Sequence, residues 1–271
     1  MTMQAIGING ITGRMGRLIA AAVTDHDDCQ LVGGLSRQAF TEVNSLPADL
    51  RALDLDPAIL HQDPAALCAT AEVIIDFSLP PATMALAEVA RATGTGLVIG
   101  TTGLSAREED RLAALAADGL ACVLAPNMGL GINVLLALVA RAARALDPAF
   151  DIEIVEMHHG GKVDAPSGTA LGLGRAAAAG RDIDLADAAV RSRDGHTGAR
   201  VPGSIGFATL RGGDVVGEHS VIFAGPGERI ELSHKAGSRT IFANGAVAAA
   251  RWLAGKPAGL YSMRDVLNLT D

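Results

Sequence analysis

The side chains that could carry out a reaction are most concentrated between residues 156 and 170. There a predicted strand ends in His158 and His159, Lys162 follows, and Pro-Ser-Gly-Thr at 166–169 opens a predicted helix. The imidazole of histidine changes its protonation state near neutral pH, so it can act as a general acid or base. A lysine supplies a positive charge for a carboxylate, and the free N–H groups of Ser167, Gly168 and Thr169 at the helix start add donors for an anion. The segment therefore predicts a site that binds an anionic substrate and supplies it with a proton.

The two adjacent histidines also allow other interpretations. An isolated histidine is more often structural, but these two occur close to Lys162 and a helix start. A metal site would need a third ligand, which the neighbouring residues do not offer at helical or loop spacing, and the lysine would repel a cation. We therefore favour the anion site and expect no metal.

A second segment with chemical potential is the glycine-rich junction at residues 7–16. Gly10, Gly13 and Gly16 follow a predicted strand over Gln4–Asn9 and open a predicted helix from about Arg14 to Val23. Glycines at such a junction let the backbone approach a pyrophosphate, and the helix start supplies N–H donors. The spacing is not the strict GxGxxG motif, so the prediction of a dinucleotide site depends on this strand–helix context. A tight turn without a ligand is the alternative.

Two further loops follow apolar runs in the same half of the chain. They are Gly100-Thr101-Thr102-Gly103 and Ala125-Pro126-Asn127-Met128. Ligands of open parallel sheets lie outside the carboxyl ends of the strands. Each loop alone would be an ordinary turn, but together with Gly10 they predict one binding edge.

The end of the second predicted strand bears on the choice of cofactor. An acid at this place accepts hydrogen bonds from ribose hydroxyls and repels a 2′-phosphate. This chain has Ser36 there, followed by Arg37, whose planar guanidinium suits a phosphate. We predict that NADPH is used at least as well as NADH. That Arg37 merely lies on the surface is the open alternative.

The elements that must position these residues change in kind along the chain. Up to about residue 127, apolar runs alternate with helical patterns, which predicts a parallel sheet with helices on both faces. The predicted strands are Gln4–Asn9, Leu31–Leu35, Val73–Phe77, Leu97–Thr101 and Leu120–Ala125. Helices are predicted to begin at Asp63-Pro64, at Pro80 or Pro81, and at the capping box Ser105–Glu108, and residues 39–61 are predicted to be irregular.

Beyond residue 127 the predicted elements are a helix over Gly131–Leu146, a strand over Asp151–Met157 and a helix over Ser167–Ala179. Three strands, Ile205–Leu210, Val215–Phe223 and Arg229–His234, are separated by short turn signals and predict an antiparallel meander. A last helix is predicted over Arg239–Leu253. A parallel half followed by an antiparallel half indicates two domains.

Composition narrows the class of protein. The 271 residues include 22 Lys and Arg against 30 Asp and Glu, a formal net charge of −8, so we expect neither a nucleic-acid nor a membrane partner. The apolar fraction of 49% predicts a sizeable core. No apolar stretch approaches the roughly 18 residues of a membrane span.

Cys29, Cys68 and Cys122 are widely spaced in apolar stretches, which indicates buried thiols in a reducing compartment. We expect a cytoplasmic protein.

Three segments together resemble a known family. They are Gly10-x-x-Gly13-Arg14-Met15-Gly16, Gly100-Thr-Thr-Gly103 and His158-His159-x-x-Lys162-x-Asp164-Ala-Pro-Ser-Gly-Thr-Ala170. The chain resembles 4-hydroxy-tetrahydrodipicolinate reductase (dihydrodipicolinate reductase), the pyridine-nucleotide reductase of the diaminopimelate route to lysine. The likeness runs the length of the chain, including Glu218-His219, His234-Lys235 and Phe242–Ala246, and the third segment is highly specific.

The resemblance implies a fold and a reaction. Residues 1–127 and 240–271 would form a Rossmann-type parallel-sheet domain, and 128–239 an α+β substrate-binding and tetramerisation domain with a mixed sheet. The chain would form a homotetramer. It would use NADPH and/or NADH to reduce 4-hydroxy-tetrahydrodipicolinate, a dicarboxylate, to tetrahydrodipicolinate with loss of water.

The resemblance also implies roles for individual residues. His158 would protonate the reduced ring, and Lys162, the second catalytic position, would bind and polarise the substrate. The substrate carboxylates would be held by His159, Ser167, Gly168 and Thr169. The cofactor would be bound by Gly10, Ile11, Thr12, Gly13, Arg14 and Met15 at the pyrophosphate, and by Gly100, Thr101, Thr102, Ala125, Pro126, Asn127 and Met128 at the nicotinamide end.

Two positions depart from relatives. Gly160-Gly161 fills a gap where many members have a longer or basic residue, so we expect a more mobile loop and altered substrate affinity. Ser36-Arg37 replaces an acid-Arg pair found in some relatives. Two other classes stay open: another Rossmann oxidoreductase of the aspartate-dehydrogenase type, which would not need the third segment, and a non-catalytic nucleotide-sensing protein, which could lose His158 or Lys162.

Overall fold

The structure is a computed structural model that describes residues 3–269. The outermost two residues at each end belong to the first predicted domain and lie outside the described residues. The chain divides into two compact units. One consists of the chain up to Leu130 together with the segment from Thr240 onward, and the other is Gly131–Arg239.

The described chain forms the following elements. The strands are β1 (Gln4–Asn9), β2 (Cys29–Leu35), β3 (Leu60–His61), β4 (Val73–Asp76), β5 (Gly96–Ile99), β6 (Ala121–Leu124), β7 (Asp151–His158), β8 (Ala189–Val190), β9 (Ile205–Arg211), β10 (Gly217–Gly225), β11 (Glu228–Ala236) and β12 (Gly259–Tyr261). The α-helices are α1 (Arg14–Thr24), α2 (Ala48–Arg51), α3 (Pro64–Cys68), α4 (Pro80–Thr93), α5 (Ala106–Ala117), α6 (Leu130–Ala145), α7 (Gly168–Arg181), α8 (Leu185–Ala188), α9 (Thr240–Leu253) and α10 (Met263–Val266).

The first unit contains a parallel sheet with the strand order β12-β6-β5-β4-β1-β2-β3. This is the order of a doubly wound dinucleotide-binding sheet, extended at one edge by β12. The five strands predicted from the sequence are confirmed. The strands β3 and β12 were not predicted, because two and three residues carry too little pattern.

Both faces of this sheet are covered, as expected for strands that are apolar throughout. Alternate residues of β4 point to opposite sides, so Val73 and Ile75 join one apolar cluster and Ile74 joins the other. The first cluster includes buried residues of α1 and α9, and the second includes buried residues of α4 and α5. The predicted parallel sheet between helical layers is therefore confirmed.

Local capping explains where several helices begin. The Asp63 side chain accepts a hydrogen bond from the Ala65 amide, and Ser105 and Glu108 form the predicted capping box. Helix α4 ends at Gly94, whose φ of +78° is the left-handed conformation that glycine adopts readily. The segment predicted to be irregular holds two 3₁₀ turns, α2 and β3.

The second unit contains a mixed sheet with the order β11-β10-β7-β9-β8. Helices α6 and α7 pack on one face, where β7 contributes alternate buried residues such as Ile152 and Ile154. The mixed sheet is confirmed. The antiparallel pairing of β10 with β11 is also confirmed.

The predicted meander of three neighbouring strands is wrong. Strand β7 lies between β9 and β10, pairing parallel with β9 and antiparallel with β10. The loop that joins β9 to β10 passes across the end of β7, where the Gly212 amide donates to His158 O at 2.9 Å and the His159 amide donates to Val215 O at 2.7 Å. The short Gly-Gly-Asp signal therefore marks a crossing over β7 and not a hairpin.

Within the described residues, no helix is long and apolar enough to cross a membrane. Cys29, Cys68 and Cys122 are free and buried, as predicted.

Candidate functional site

The junction of β1 and α1 needs glycine at two positions. Gly10 has a φ of +77°, and a Cβ at Gly16 would lie 2.2 Å from the Gly10 carbonyl oxygen. Gly13 is the N-cap of α1, and no described side chain caps this helix. The first amides of α1 therefore meet no side-chain acceptor and suit an anionic group of a ligand.

A cavity of about 600 Å³ opens beside this junction. Gly10, Thr12 and Gly13 line it together with Ser36 and Arg37 from the end of β2, so the structure brings these predicted residues together. Arg37 is the only charged residue among the described lining residues, and its guanidinium has no carboxylate partner within 3–269. The glycine turn, the open helix start and this cation together fit a dinucleotide.

The other residues predicted in this turn have different surroundings. The Ile11 side chain is fully buried and lies against Gly34, so only its backbone can meet a ligand. Met15 packs partly on the apolar core, and Arg14 is exposed. None of these three residues lines the cavity.

A hydrogen-bonded chain connects three strand ends at this edge. Asn9 Nδ2 donates to Ser78 Oγ at 3.1 Å, and the Ser78 amide donates to Thr101 Oγ1 at 3.0 Å. Both Asn9 and Ser78 line the cavity, although neither was predicted. Ser78 could have been found, because it follows β4 just as the predicted loops follow β1, β5 and β6.

The segments 100–102 and 125–128 lie at the same edge, but they do not line the cavity beside Gly10. A Cβ at Gly100 would lie 2.3 Å from the Phe77 ring, so this glycine allows close packing of the two loops. Thr102 and Pro126 are exposed, whereas Thr101, Ala125 and Met128 are buried. Asn127 Oδ1 accepts a hydrogen bond from the Gly129 amide at 2.9 Å and so shapes the turn after β6.

In the second unit, β7 carries a buried acid–base pair at its end. Glu156 is 1% exposed and His158 is 8% exposed. Residues two apart on a strand share a face, and Glu156 Oε2 lies 2.5 Å from His158 Nδ1. Arg211 on β9 binds the same carboxylate through two nitrogens, at 2.8 and 3.0 Å.

These contacts determine which groups carry charge. Burial acts to raise the pKa of the Glu156 carboxyl, but hydrogen bonds from Arg211, His158 and the Ser167 amide outweigh it and hold this pKa below its ordinary value. Burial lowers the pKa of His158, while the Glu156 carboxylate acts in the opposite direction. The site therefore contains an anion fixed against a histidine that can exchange a proton.

A second buried histidine borders the first. His219 on β10 lies opposite Glu156 in the sheet register, and its ring lies edge-on to the His158 ring with 5.1 Å between centroids. Burial lowers the pKa of His219 to about 4, so it is neutral at pH 7. In the sequence, His219 is only a histidine within an apolar predicted strand, and no role was predicted for it.

Ser167 has a structural place at this site. Its Oγ accepts from the Ala170 amide at 3.1 Å, which caps α7, and it lies 3.1 Å from His219 Nε2. The expectation that the Ser167 N–H is free for an anion is wrong, because this amide donates to Glu156 Oε1 at 3.0 Å. Gly168 and Thr169 begin α7 beside it.

The loop after β7 carries the remaining predicted residues. Lys162 Nζ donates to Asp164 Oδ1 at 2.8 Å, and the Lys162 amide donates to His159 O at 3.1 Å. The charge of Lys162 acts to lower the pKa of His158. His159 Nε2 lies 3.4 Å from a guanidinium nitrogen of Arg239, a cation that was not predicted. No cluster of three or more His, Cys, Asp or Glu within residues 3–269 could hold a metal ion.

These features define a class, the oxidoreductases that combine a Rossmann-type nucleotide-binding unit with a second unit built on a mixed sheet. Residues 4–128 match the family model "Dihydrodipicolinate reductase, N-terminus", and residues 131–267 match "Dihydrodipicolinate reductase, C-terminus". The chain belongs to the dihydrodipicolinate reductase family.

Individual relatives agree with this assignment. The chain is 49% identical over 271 residues to a 4-hydroxy-tetrahydrodipicolinate reductase of Rhodopseudomonas palustris (strain TIE-1), covering 100% of both chains. It is 51% identical over 272 residues to one of Chelativorans sp. (strain BNC1), covering 100% of this chain and 98% of the other. The fold is similar to that of a dipicolinate-bound dihydrodipicolinate reductase from Paenisporosarcina sp. TG-14, with a TM-score of 0.76 and 24% identity over 96% of this chain and 98% of the other.

Proposed function

We propose that this protein uses NAD(P)H to reduce 4-hydroxy-tetrahydrodipicolinate to tetrahydrodipicolinate with loss of water. The observation that carries the proposal is the buried His158, fixed by Glu156 at the end of β7 and followed by a turn in which the Lys162 amide donates to His159 O at 3.1 Å. A proton donor and a cation in one segment suit the reduction of an unsaturated ring that bears carboxylates. The names of the full-length relatives support the same reaction.

The first unit would bind the cofactor, which when bound supplies the hydride from its reduced nicotinamide ring. The turn at Gly10–Met15 would hold the pyrophosphate through backbone amides at the start of α1. The segments 100–102 and 125–128 would bind the nicotinamide end. Ser36 and Arg37 would lie at the adenosine ribose, and because the described cavity lining has Arg37 and no acid, we propose that NADPH is used at least as well as NADH.

The second unit would bind the dicarboxylate. Lys162, His159, Gly168 and Thr169 would hold the carboxylates, with Ser167 keeping the start of α7 in place. His158 would hold the transferable proton at Nε2, because its Nδ1 is engaged by Glu156. Water would be excluded from the Glu156 side of His158, since that carboxylate is almost fully buried.

The same proposal includes the domain roles and the assembly. Residues 1–127 with 240–271 would bind the dinucleotide, and 128–239 would bind substrate and form a cytoplasmic homotetramer for lysine synthesis. Exposed apolar side chains on the second sheet support an interface between copies. Leu210 on β9 is 49% exposed and Ile230 on β11 is 38% exposed.

The test is a coupled assay in which the purified chain receives NADPH or NADH and the product of the preceding synthase. We expect the absorbance of the reduced cofactor to fall only when the cyclic substrate is present. Oxaloacetate with ammonia serves as the comparison for an aspartate-dehydrogenase activity. Oxidation with that pair alone, or cofactor binding without any oxidation, would overturn the proposal.

A further inference from the structure

Glu156 is a carboxylate that a substrate cannot reach directly, since it is 1% exposed. Both of its oxygens are fully engaged. Oε2 receives hydrogen bonds from His158 Nδ1 and Arg211 Nη1, and Oε1 receives them from the Ser167 amide and Arg211 Nη2. Four contacts from three elements therefore fix both the orientation of this carboxylate and its ionised form.

The sheet order explains how these groups come together. Strand β7 is central, so His158 has Arg211 beside it in the register of β9, and Glu156 has His219 opposite it in the register of β10. The Arg211 side chain also donates to the Asp164 carbonyl at 2.6 Å, which ties it to the loop that carries Lys162. Arg211 therefore bridges the Glu156 carboxylate and the loop that carries Lys162.

The charged groups around His158 do not all favour its protonated form. Burial, Lys162 and Arg211 lower its pKa, and the neutral His219 ring adds a buried neighbour. Among the four residues Glu156, Lys162, Arg211 and His219, only Glu156 is an anion. Removing this charge would leave burial and the positive charges of Lys162 and Arg211 without an opposing anion and would strongly disfavour the acid form of His158.

We propose that Glu156 is a positioning residue for His158, fixing the tautomer with hydrogen on Nδ1 and sustaining the proton affinity of Nε2. Arg211 has the supporting role of holding the Glu156 carboxylate in place. The proposal rests on the proposed function in that it takes His158 to be the proton donor. It assigns the choice of ring nitrogen and the pH range of activity to a residue that does not touch substrate.

The first experiment compares Glu156→Gln with the parent protein by the pH dependence of kcat. The glutamine side chain keeps the shape of Glu156 but loses its charge. In the curve of kcat against pH, the fall in activity that marks deprotonation of His158 should therefore move about 1–2 pH units lower. At neutral pH kcat should fall roughly 10- to 1000-fold, while the substrate KM stays within about threefold. Glu156→Asp, which keeps the charge, should show this fall at a pH nearer to that of the parent.

Glu153→Gln is the matched control. Glu153 lies on the same strand and is held by Arg193 and Arg200, but it has no contact with His158. In Glu153→Gln, kcat should fall at the same pH as in the parent protein. A fall in kcat that does not move to lower pH in Glu156→Gln, or a loss confined to KM, would overturn the proposal.

The second measurement needs no substrate and so separates this proposal from the proposed function. The ¹⁵N signals of the His158 ring, assigned with His158→Gln, report its tautomer and its titration in the full chain. We expect the Nδ1–H tautomer in the parent and a lower His158 pKa in Glu156→Gln. If that variant does not fold, the parent tautomer decides, and an Nε2–H tautomer would refute the inference whether or not the cyclic substrate is reduced.

Discussion

The ammonium of Lys162 donates a hydrogen bond to the carboxylate of Asp164, with 2.8 Å between Nζ and Oδ1. The Lys162 side chain is 21% exposed and that of Asp164 is 55% exposed. The hydrogen bond from Lys162 lowers the pKa of the Asp164 carboxyl, so this carboxyl is ionised at neutral pH. The Asp164 carboxylate therefore holds the Lys162 ammonium, which we propose binds the substrate. A carboxylate of the substrate would replace Asp164 in this contact.

Lys162→Ala should weaken substrate binding and slow the reaction together. Loss of a charged hydrogen-bonding partner costs about 1.5–3 kcal/mol or more, so kcat/KM should fall at least roughly tenfold. Steady-state kinetics with varied substrate give both constants. Lys235→Ala is the control, because Lys235 is a 70% exposed lysine of the same unit whose nearest carboxylate, on Glu218, lies 3.6 Å away. An unchanged substrate KM in Lys162→Ala would show that Lys162 is only a surface cation.

Gly16→Ala should destabilise the turn that holds the proposed cofactor. Its Cβ would lie 2.2 Å from the Gly10 oxygen and 2.7 Å from the Ile11 Cα, and both are backbone atoms that cannot move aside freely. We expect a loss of roughly 1–3 kcal/mol in unfolding free energy and weaker cofactor binding. Thermal unfolding and a fluorescence titration with NADPH measure the two effects. Gly237→Ala, where nothing lies within 4 Å of the added carbon, should change neither. Equal behaviour of the two variants would contradict the packing argument.

Much of the first unit could be predicted because its strands are short, apolar and bounded by glycine or capping residues. Ser105 and Glu108 fix the start of α5 within four consecutive residues, so the signal is local. The position of β7 could not be predicted in this way. Strand β7 lies between β9 and β10 because the loop that joins these two strands crosses the end of β7. The turn residues of that loop resemble those of a hairpin, so the sequence predicts that β9 and β10 are neighbours.

In the candidate site, too, the features that depend on neighbouring residues could be predicted and the contacts between distant residues could not. His158, Lys162 and Ser167 lie in one segment and could be found from spacing alone. The partners that determine their chemistry are distant in sequence: Arg211 is 55 residues from Glu156, and His219 is 52 residues from Ser167. A buried Glu and a strand His have no local pattern, so these contacts appear only when the sheet forms.

Acid should destabilise the fold in part through His219. This ring has a pKa of about 4 when folded against an ordinary value of 6.5, so below pH 6.5 the unfolded chain binds a proton that the folded chain does not. Stability is therefore complete above pH 6.5 and is lost as the pH falls towards 4, by up to roughly 3 kcal/mol. Denaturant unfolding of His219→Gln should show a flatter dependence over this range. His196→Gln, at an exposed histidine, should follow the parent curve, and parallel curves for all three proteins would refute the assignment.

Arg37→Ala should reduce the use of NADPH and leave the use of NADH nearly unchanged. Arg37 lines the 600 Å³ cavity beside Ser36, and no described carboxylate competes for its guanidinium. A charged hydrogen bond to the 2′-phosphate is worth about 1.5–3 kcal/mol, so kcat/KM for NADPH should fall roughly ten- to a hundredfold. Arg51→Ala, at an exposed arginine of α2, is the control for a general loss of positive charge.

Salt gives a second check on the same contact. Arg37 is exposed, so its attraction for a phosphate is screened, and the preference of the parent protein for NADPH should shrink as ionic strength rises. In Arg37→Ala the ratio of the two cofactors should no longer depend on salt. Equal losses for NADPH and NADH, or a parent protein that prefers NADH by about tenfold or more, would show that Arg37 does not bind the 2′-phosphate.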